Sequence, residues 1–474
     1  MLPDEILLKI FGFFVNKDKN GFQENGTEGW QTLVHVCQRW RSVVFGSPRR
    51  LDLALVCTGK ARLREKLDVW PDFPLLFHGG VDTRKDVDNV VAVLERSDRV
   101  KDFSVSVLNS SPWKKVMAAM RRPFPELTRL KLDWFGYLLE FTGYDEQTPV
   151  LPKSLLGASA PRLQYLSLCC FPFPGITDLL LSTTHLVDLD LCMPRCGDFS
   201  SGYFSPEELA TSLSLLTSLE SLSLVFHSFR CRNKRESRCP SPATRSVLPV
   251  LTCLLFQGAS EFLDKLVAHI DAPQINNLTI ILFEQSAFDT PQFSQFISRT
   301  PTLKALEKAR VDFYNDTATV DFSSRTSGHV EFKLKILYTT LYEQVSSLGH
   351  ACTSCLPPLS ALENLYVYEV PDPEEWRDPV ETWLGLLRPF AAVKNLYLSE
   401  EAMPCIVPAL HELDEGGTTE VLPVLQEIFL EQLQPSGSSK EGIRKVSATR
   451  QATNHPIAVT HWKNKRYDSD SDSD

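Results

Sequence analysis

The chain has 474 residues, with 43% hydrophobic residues, 23% charged residues and a formal net charge of −10. This is the composition of a folding chain, and the acidic balance argues against a nucleic-acid binder or an anionic-membrane binder, either of which needs a basic face. No run of about eighteen apolar residues occurs, so no membrane span is expected.

The N-terminus lacks a charged-then-apolar leader, so the twelve cysteines are expected as reduced thiols in an intracellular protein, cytoplasmic or nuclear. On the same expectation the sequons at Asn25, Asn109, Asn277 and Asn315 stay unglycosylated.

Residues 2–11 read LPDEILLKIF. Leu2, Ile6 and Ile10 are four apart, with Leu7 and Phe11 beside them, which predicts an amphipathic helix. Pro3 suits a first-turn position, and Asp4 and Glu5 place negative charge at the helix start. Next comes a polar stretch from Asn16 to Gly29. Residues 33–53 then read LVHVCQRWRSVVFGSPRRLDL, in which Leu33, Val36, Cys37, Trp40 and Val44 form a second helical stripe. Two such helices in about fifty residues hardly bury their apolar faces on each other. A partner is therefore expected to cover the rest.

From residue 49 onward one phrase returns: apolar-x-x-apolar-x-apolar, often after Pro. It occurs as PELTRLKL (125–132), PRLQYLSL (161–168), THLVDLDL (184–191), TSLESLSL (217–224) and PVLTCLLF (249–256). It continues as PQINNLTI (273–280), SALENLYV (360–367), AAVKNLYL (391–398) and PVLQEIFL (423–430). PRRLDLAL (48–55) and DRVKDFSVSV (98–107) are expected as early strands around a helix at Lys85–Arg96. HPIAVTHW (455–462) is expected as the closing strand after a helix at Lys440–Gln451. Between 310 and 350 only one strand, near Val330–Leu334, is expected. The usual spacing of about 23 to 36 residues is that of a repeat array. Alternate residues of a strand share a face, so Leu130 and Leu132, or Leu166 and Leu168, point the same way. Segments such as PEELATSLSLL, ASEFLDKLVAHI and PQFSQFISRT read as the intervening helices. No single strand–helix unit covers its own apolar side, but stacked units do. The array resembles the leucine-rich repeat, in longer and more irregular form and without the usual Asn after the strand.

The expected fold class is therefore α/β: a small helical head (1–48), then a leucine-rich-repeat-like solenoid (49–465) with a parallel sheet on the concave side and helices on the convex side. A disordered acidic Ser/Asp tail (466–474) ends the chain. The residues between the apolar positions face the concave side. Tyr366, Tyr397 and Phe429 hold equivalent places in successive strands, flanked by Asn364, Tyr368, Asn395 and Glu427, and predict an aromatic ladder suited to a target protein. In the N-terminal half these places hold Arg129, Lys131, Asp133, Asp188 and Asp190. A basic loop at 230–245 interrupts the array.

No Gly-x-Ser-x-Gly elbow, no phosphate-binding Gly-rich loop and no His-Glu-x-x-His site occurs, so no catalytic residue and no cofactor is expected. Cys352-x-x-Cys355 stands alone, and Cys192, Cys196, Cys231 and Cys239 are loosely spaced, so no metal site is expected.

The joint pattern "LPDEILLKIF … VCQRWRSVV" resembles the F-box family that is large in mushroom-forming fungi. The resemblance covers roughly residues 1–53. It implies docking on the Skp-type adaptor of a cullin–RING ubiquitin ligase through Leu2, Pro3, Ile6, Leu7, Ile10, Val36, Cys37 and Trp40. The implied role is a non-enzymatic substrate receptor, bound to adaptor, cullin and a target protein, without nucleic acid or membrane. The alternative is a stand-alone interaction scaffold; a third reading, an enzyme on an α/β fold, would need a convergent polar pocket.

Overall fold

The structure is a computed structural model that describes residues 2–17, 29–48, 50–51, 53–58, 63–81, 83–107, 110–135, 149–193, 204–226, 245–283, 290–314, 316–324, 330–338, 340–356, 359, 361–368, 380–415, 421–431, 437–452 and 455–462. The basic loop up to residue 244, Cys196, Cys231, Cys239 and the Ser/Asp tail lie outside the described residues. The chain divides into two compact units, 1–221 and 222–474.

The first unit opens with three helices: α1 (Asp4–Lys17), α2 (Gly29–Val36) and α3 (Gln38–Gly46). The carbonyl of Pro3 accepts the amides of Ile6 and Leu7 at 3.1 Å each, which starts α1. Asp4 and Arg39 form an ion pair at 2.7 Å that ties the start of α1 to α3. The expected second stripe is not one helix. Cys37 adopts an extended backbone and its sulfur accepts the amide of Trp40, so the chain ends α2 and restarts as α3 at that residue. Phe11, Trp30, Val34 and Val44 are buried in the head. The Trp30 indole donates to the carbonyl of Ala54 at 3.0 Å and meets Trp70 and Phe73 edge-on, which anchors the head to the start of the array.

After the head come six strands: β1 (Leu55–Thr58), β2 (Leu75–Val81), β3 (Val100–Val107), β4 (Arg129–Trp134), β5 (Tyr165–Cys169) and β6 (Asp188–Met193). Successive strands pair side by side, all parallel. Between them run α4 (Leu63–Val69), α5 (Arg84–Leu94), α6 (Ser110–Ala119) and α7 (Ile176–Leu181), with α8 (Pro206–Leu213) after β6. Capping boxes at Thr83–Asp86 and Ser205–Glu208 fix the starts of α5 and α8. PRRLDLAL does not form a strand over its length. The amides of Leu51 and Leu53 bond back to Ser47 and Pro48 in turns, so the strand begins only at Leu55. Neither β2 nor α4 carries the repeat phrase, and neither was expected.

The second unit contains β7 (Ser221–Phe226), β8 (Ser246–Val247), β9 (Cys253–Gly258), α9 (Ser260–Ala268), β10 (Ile270–Asp271), β11 (Asn277–Leu282) and α10 (Pro291–Arg299). β12 (Lys308–Tyr314), β13 (Thr317–Ser323), β14 (Glu331–Leu337), α11 (Leu341–Ser354), β15 (Asn364–Tyr368) and α12 (Val380–Leu387) come next. The chain continues through β16 (Asn395–Leu398), α13 (Met403–Glu415), β17 (Glu427–Glu431), α14 (Gly437–Ala452) and β18 (Ala458–Trp462). The sheet order is β7-β9-β11-β14-β13-β12-β15-β16-β17-β18. The short β8 and β10 pair separately.

The segment 310–350, where one strand was expected, holds more. β12, β13 and β14 form an antiparallel meander, so β14 and not β12 lies beside β11. The sheet of this unit is therefore mostly, not wholly, parallel. Only two residues separate β12 from β13, and a strand pair joined by so short a connection is antiparallel by necessity. Helices neighbour one another as the strands do. Gly349 of α11 lets that helix approach α12, because an added Cβ would meet the Leu386 backbone nitrogen at 2.9 Å. No described helix is long and apolar enough to cross a membrane.

In both units strands such as β6, β7, β9 and β16 alternate a buried residue with a partly exposed one, and the buried face carries the repeated leucines. Leu130, Leu166 and Leu189 lie in register on β4, β5 and β6, each at most 1% exposed. Truncating Leu166 to Ala removes a contact to both neighbours and leaves a cavity, so a loss of ~2–5 kcal/mol is expected in denaturant unfolding; an unchanged midpoint would show that this leucine row does not hold the unit together.

Candidate functional site

Two surfaces have the chemistry of partner sites, one in each unit. On the head, α1 is apolar on two sides. Leu7, Leu8, Phe11 and Val15 face inward and are buried. Leu2, Ile6, Ile10, Phe13 and Phe14 are 52%, 40%, 47%, 81% and 46% exposed, and Val36 at the end of α2 is 59% exposed. Pro3 and Cys37 are exposed as well. Two of the expected docking residues belong elsewhere. Leu7 is buried, because it sits on the inward stripe with Phe11, and Trp40 is half-buried with its ring 4.7 Å from that of Phe11. The exposed set is thus Leu2, Pro3, Ile6, Ile10, Val36 and Cys37, extended by Phe13 and Phe14. These two phenylalanines were missed, although their spacing of three and four from Ile10 signals the same side of the helix.

The second surface is the polar face of the sheet in the second unit. Parallel register aligns Tyr366, Tyr397 and Phe429 on β15, β16 and β17. The rings stack at 4.1 and 4.3 Å between centroids and within 12° of parallel. One row below, the Asn395 amide donates to Asn364 at 3.0 Å, with Glu427 beside them. Tyr368 is not part of an open ladder. It is buried, stacks on Tyr366, and carries the Arg310 guanidinium over its ring at 4.7 Å. Burial pushes its hydroxyl up to about 12, against the opposing charge of Arg310. Trp462 of β18 meets Tyr397 at 5.3 Å and Tyr366 at 6.0 Å, edge-on to both, and so covers one side of the stack.

The row continues in the other direction through charged residues. Arg310 is the register partner of Tyr366, Asp321 of Arg310, and Lys333 of Asp321. Arg310 forms a two-pronged bond to Asp312 at 2.8 and 2.9 Å, and Lys333 lies 3.4 Å from Asp321. Arg310 and Trp462 were not among the expected site residues. Arg310 falls in the poorly legible segment. Trp462 was predictable from the alternation Ala458-Thr460-Trp462, which puts it on the face of Phe429.

The polar face of the first unit is charged instead. Asp102 on β3 lies 3.9 Å from His78 and 4.0 Å from Arg129, and Arg129 stacks on Tyr165 at 3.7 Å. Lys131 pairs with Asp133 at 3.2 Å, and the Ser167 hydroxyl donates to Asp190 at 2.9 Å. Asp188 flanks this row, its carboxyl raised by burial and by the neighbouring Glu220. Cys352 and Cys355 are both buried in the helical layer.

Compared with known families and curated proteins, the chain matches no family model and no curated protein.

Burial raises the Asp102 carboxyl from its ordinary value, and His78, Arg129 and Lys101 oppose that rise without cancelling it. The folded state then holds this proton to higher pH than the unfolded chain does. Folded protein binds more protons in that window, so this group's contribution to stability falls as pH rises through it. Asp102→Asn is therefore expected to unfold at a higher temperature than the parent at neutral pH, with the advantage shrinking as pH approaches the ordinary carboxylate value of about 3.9. A pH-independent difference would show that the charge of Asp102 is not what sets it.

Proposed function

We propose that this protein is the substrate-receptor subunit of a cullin–RING ubiquitin ligase. In this reading α1, α2 and α3 form an F-box that docks on a Skp-type adaptor, the adaptor joins the cullin, and the strand–helix array is an irregular leucine-rich-repeat solenoid that holds the target. The observation that carries the reading is the outer stripe of α1. Five large apolar residues, from Leu2 to Phe14, stay in solvent while the inner stripe of the same helix is already buried. A helix apolar on both sides fits a buried position, and a contiguous exposed apolar patch marks an interaction surface. The resemblance of LPDEILLKIF and VCQRWRSVV to the F-box supplies the identity of the partner.

The target side of the reading rests on the Tyr366–Tyr397–Phe429 stack with Asn364, Asn395 and Glu427 beside it. Stacked aromatics with a polar margin have the composition of a binding hot spot and its rim. The mechanism is proximity. A receptor that holds a target near a ubiquitin-charged enzyme converts an encounter between separate molecules into one within a single assembly, and it makes or breaks no bond itself.

Ile6→Asp with Ile10→Asp in the full chain tests the head directly. Both residues are exposed, so the variant is expected to keep its unfolding temperature. Its capture of a Skp-type adaptor in a pull-down is expected to fall by about tenfold or more, since buried interface anchors commonly carry about 2 kcal/mol each. Undiminished capture, or no capture by the parent chain, would sink the ligase reading and leave a stand-alone scaffold.

A further inference from the structure

We propose that Cys169, Cys170 and Cys192 form a binding site for one soft, thiophilic metal cation of the zinc class. The proposal stands independently of the ligase reading. Cys169 ends β5 and Cys192 lies in β6, and the two are register partners on the polar face of adjacent parallel strands. Side chains of consecutive strand residues point to opposite faces, so Cys170 should turn away from its neighbour. It does not, because its backbone is left-handed, with φ of 62°. That region is uncommon for a residue with a Cβ, and such departures cluster at binding sites. The amide of Cys170 donates to the carbonyl of Cys192 at 2.6 Å and fixes the corner against β6.

The three sulfurs lie within 4.8 Å of one another, and those of Cys169 and Cys170 are 3.7 Å apart. Zinc–sulfur bonds of about 2.3 Å in a tetrahedron put sulfurs about 3.8 Å apart, so these thiols already stand close to a metal-ligand spacing. Three thiolates select soft cations over calcium or magnesium, which take oxygen ligands. The fourth position falls to water or an incoming ligand, as three-ligand zinc sites allow.

Two carboxylates border the three sulfurs. Asp133 is the register partner of Cys169 on β4, and Asp190 precedes Cys192 by two residues on the same face. Lys131 and Ser167 bond to these carboxylates. For Cys169, the hydrogen bond with Cys170 pulls the thiol down, but the bond with Cys192, burial and Asp133 outweigh it and push the group up to about 12. Cys192 rises likewise to about 12: its bond with Cys169 opposes the rise, and its bond with Cys170, burial and Asp190 produce it. Each sulfur–metal bond forms as one proton leaves to solvent, so affinity climbs with pH.

The experiment uses the reduced full chain. Titration with Co²⁺ is expected to give sulfur-to-cobalt charge-transfer absorption that saturates at a single equivalent, releases protons in weak buffer, and is abolished by Zn²⁺. Cys169→Ser with Cys192→Ser is expected to lose the band, whereas Cys253→Ser, which changes a half-buried cysteine of β9, keeps it. Zn²⁺ is also expected to slow alkylation of Cys169 and Cys192 in the parent chain by about tenfold or more, mapped by mass spectrometry, a readout that does not depend on the variant folding. Absence of the band, its survival in the double variant, or alkylation at equal rates with and without Zn²⁺ would each overturn the site.

Discussion

Every strand of the array carries apolar residues that its own helix is too small to cover, and the structure answers that shortage by setting strands side by side in register. Leu130 and Leu132 on β4 meet Leu166 and Leu168 on β5, which meet Leu189 and Leu191 on β6, all at most 2% exposed. The same holds in the second unit for Leu365, Leu396 and Ile428. Because the strand period is two, register that stacks leucines on the inner face must also stack whatever lies between them on the other. The aromatic row and the charged rows are thus consequences of the leucine rows. A one-residue slip in any strand would bury the tyrosines and expose the leucines together.

The head obeys the same constraint with less material. Its three helices close around Phe11, Trp30, Val34 and Val44, and Trp30 reaches out to Ala54, Trp70 and Phe73. That closure uses only one stripe of α1. A chain of this length has ample apolar surface elsewhere with which to cover Ile6 and Ile10, yet the helix turns them to solvent. The break at Cys37 contributes to this arrangement, since restarting the helix there gives α3 its own axis and lets Arg39 hold the first turn of α1 by Asp4. Exposure of the outer stripe is a property of how the head is tied down, not of a missing core.

Legibility in the sequence tracked the strength of the repeat. Where the phrase has three leucines and a preceding Pro, as at 125–132 and 161–168, strand position and facing were readable, because period-two alternation and turn chemistry agree. β13, TATVDFS, offers alternation without leucine, and it sits in a meander where the parallel repeat does not apply. Leu51 and Leu53 are strand-like in spacing, but their amides bond back to Ser47 and Pro48 as in turns. Facing on α1 was half legible: Leu2, Ile6 and Ile10 do line one side, but Leu7 belongs to the opposite stripe, and a helix apolar on two sides carries two overlapping periods that spacing alone does not separate. The ladder at Tyr366, Tyr397 and Phe429 was legible because equivalent places in stacked strands become neighbours. The burial of Tyr368 was not, since it depends on Arg310 from a strand earlier in the chain and Trp462 from one later. The convergence of Cys169 with Cys170 was hidden for a different reason: a left-handed residue that is not Gly leaves no mark in composition.

Inward residues of the array answer to packing on both sides and have little freedom, whereas outward residues answer only to their neighbours in a row. The second unit uses that freedom for stacked rings, and stacking has an energetic consequence beyond contact area. Tyr366, Tyr397 and Phe429 hold one another's side-chain angles through face-to-face contact at 4.1 and 4.3 Å. Rotamer entropy that a flexible surface would lose on binding is already lost in the fold, and preorganisation of this kind raises affinity without adding a contact. Trp462 acts in the opposite sense, since its edge-on position over Tyr366 and Tyr397 hides part of their surface. It rides on β18, which among the described residues pairs with β17 alone, at the end of the sheet order. If the ladder holds a target as proposed, that ligand meets the outer edge of Trp462 together with the rings it leaves uncovered, on a base whose side-chain angles the stack already fixes.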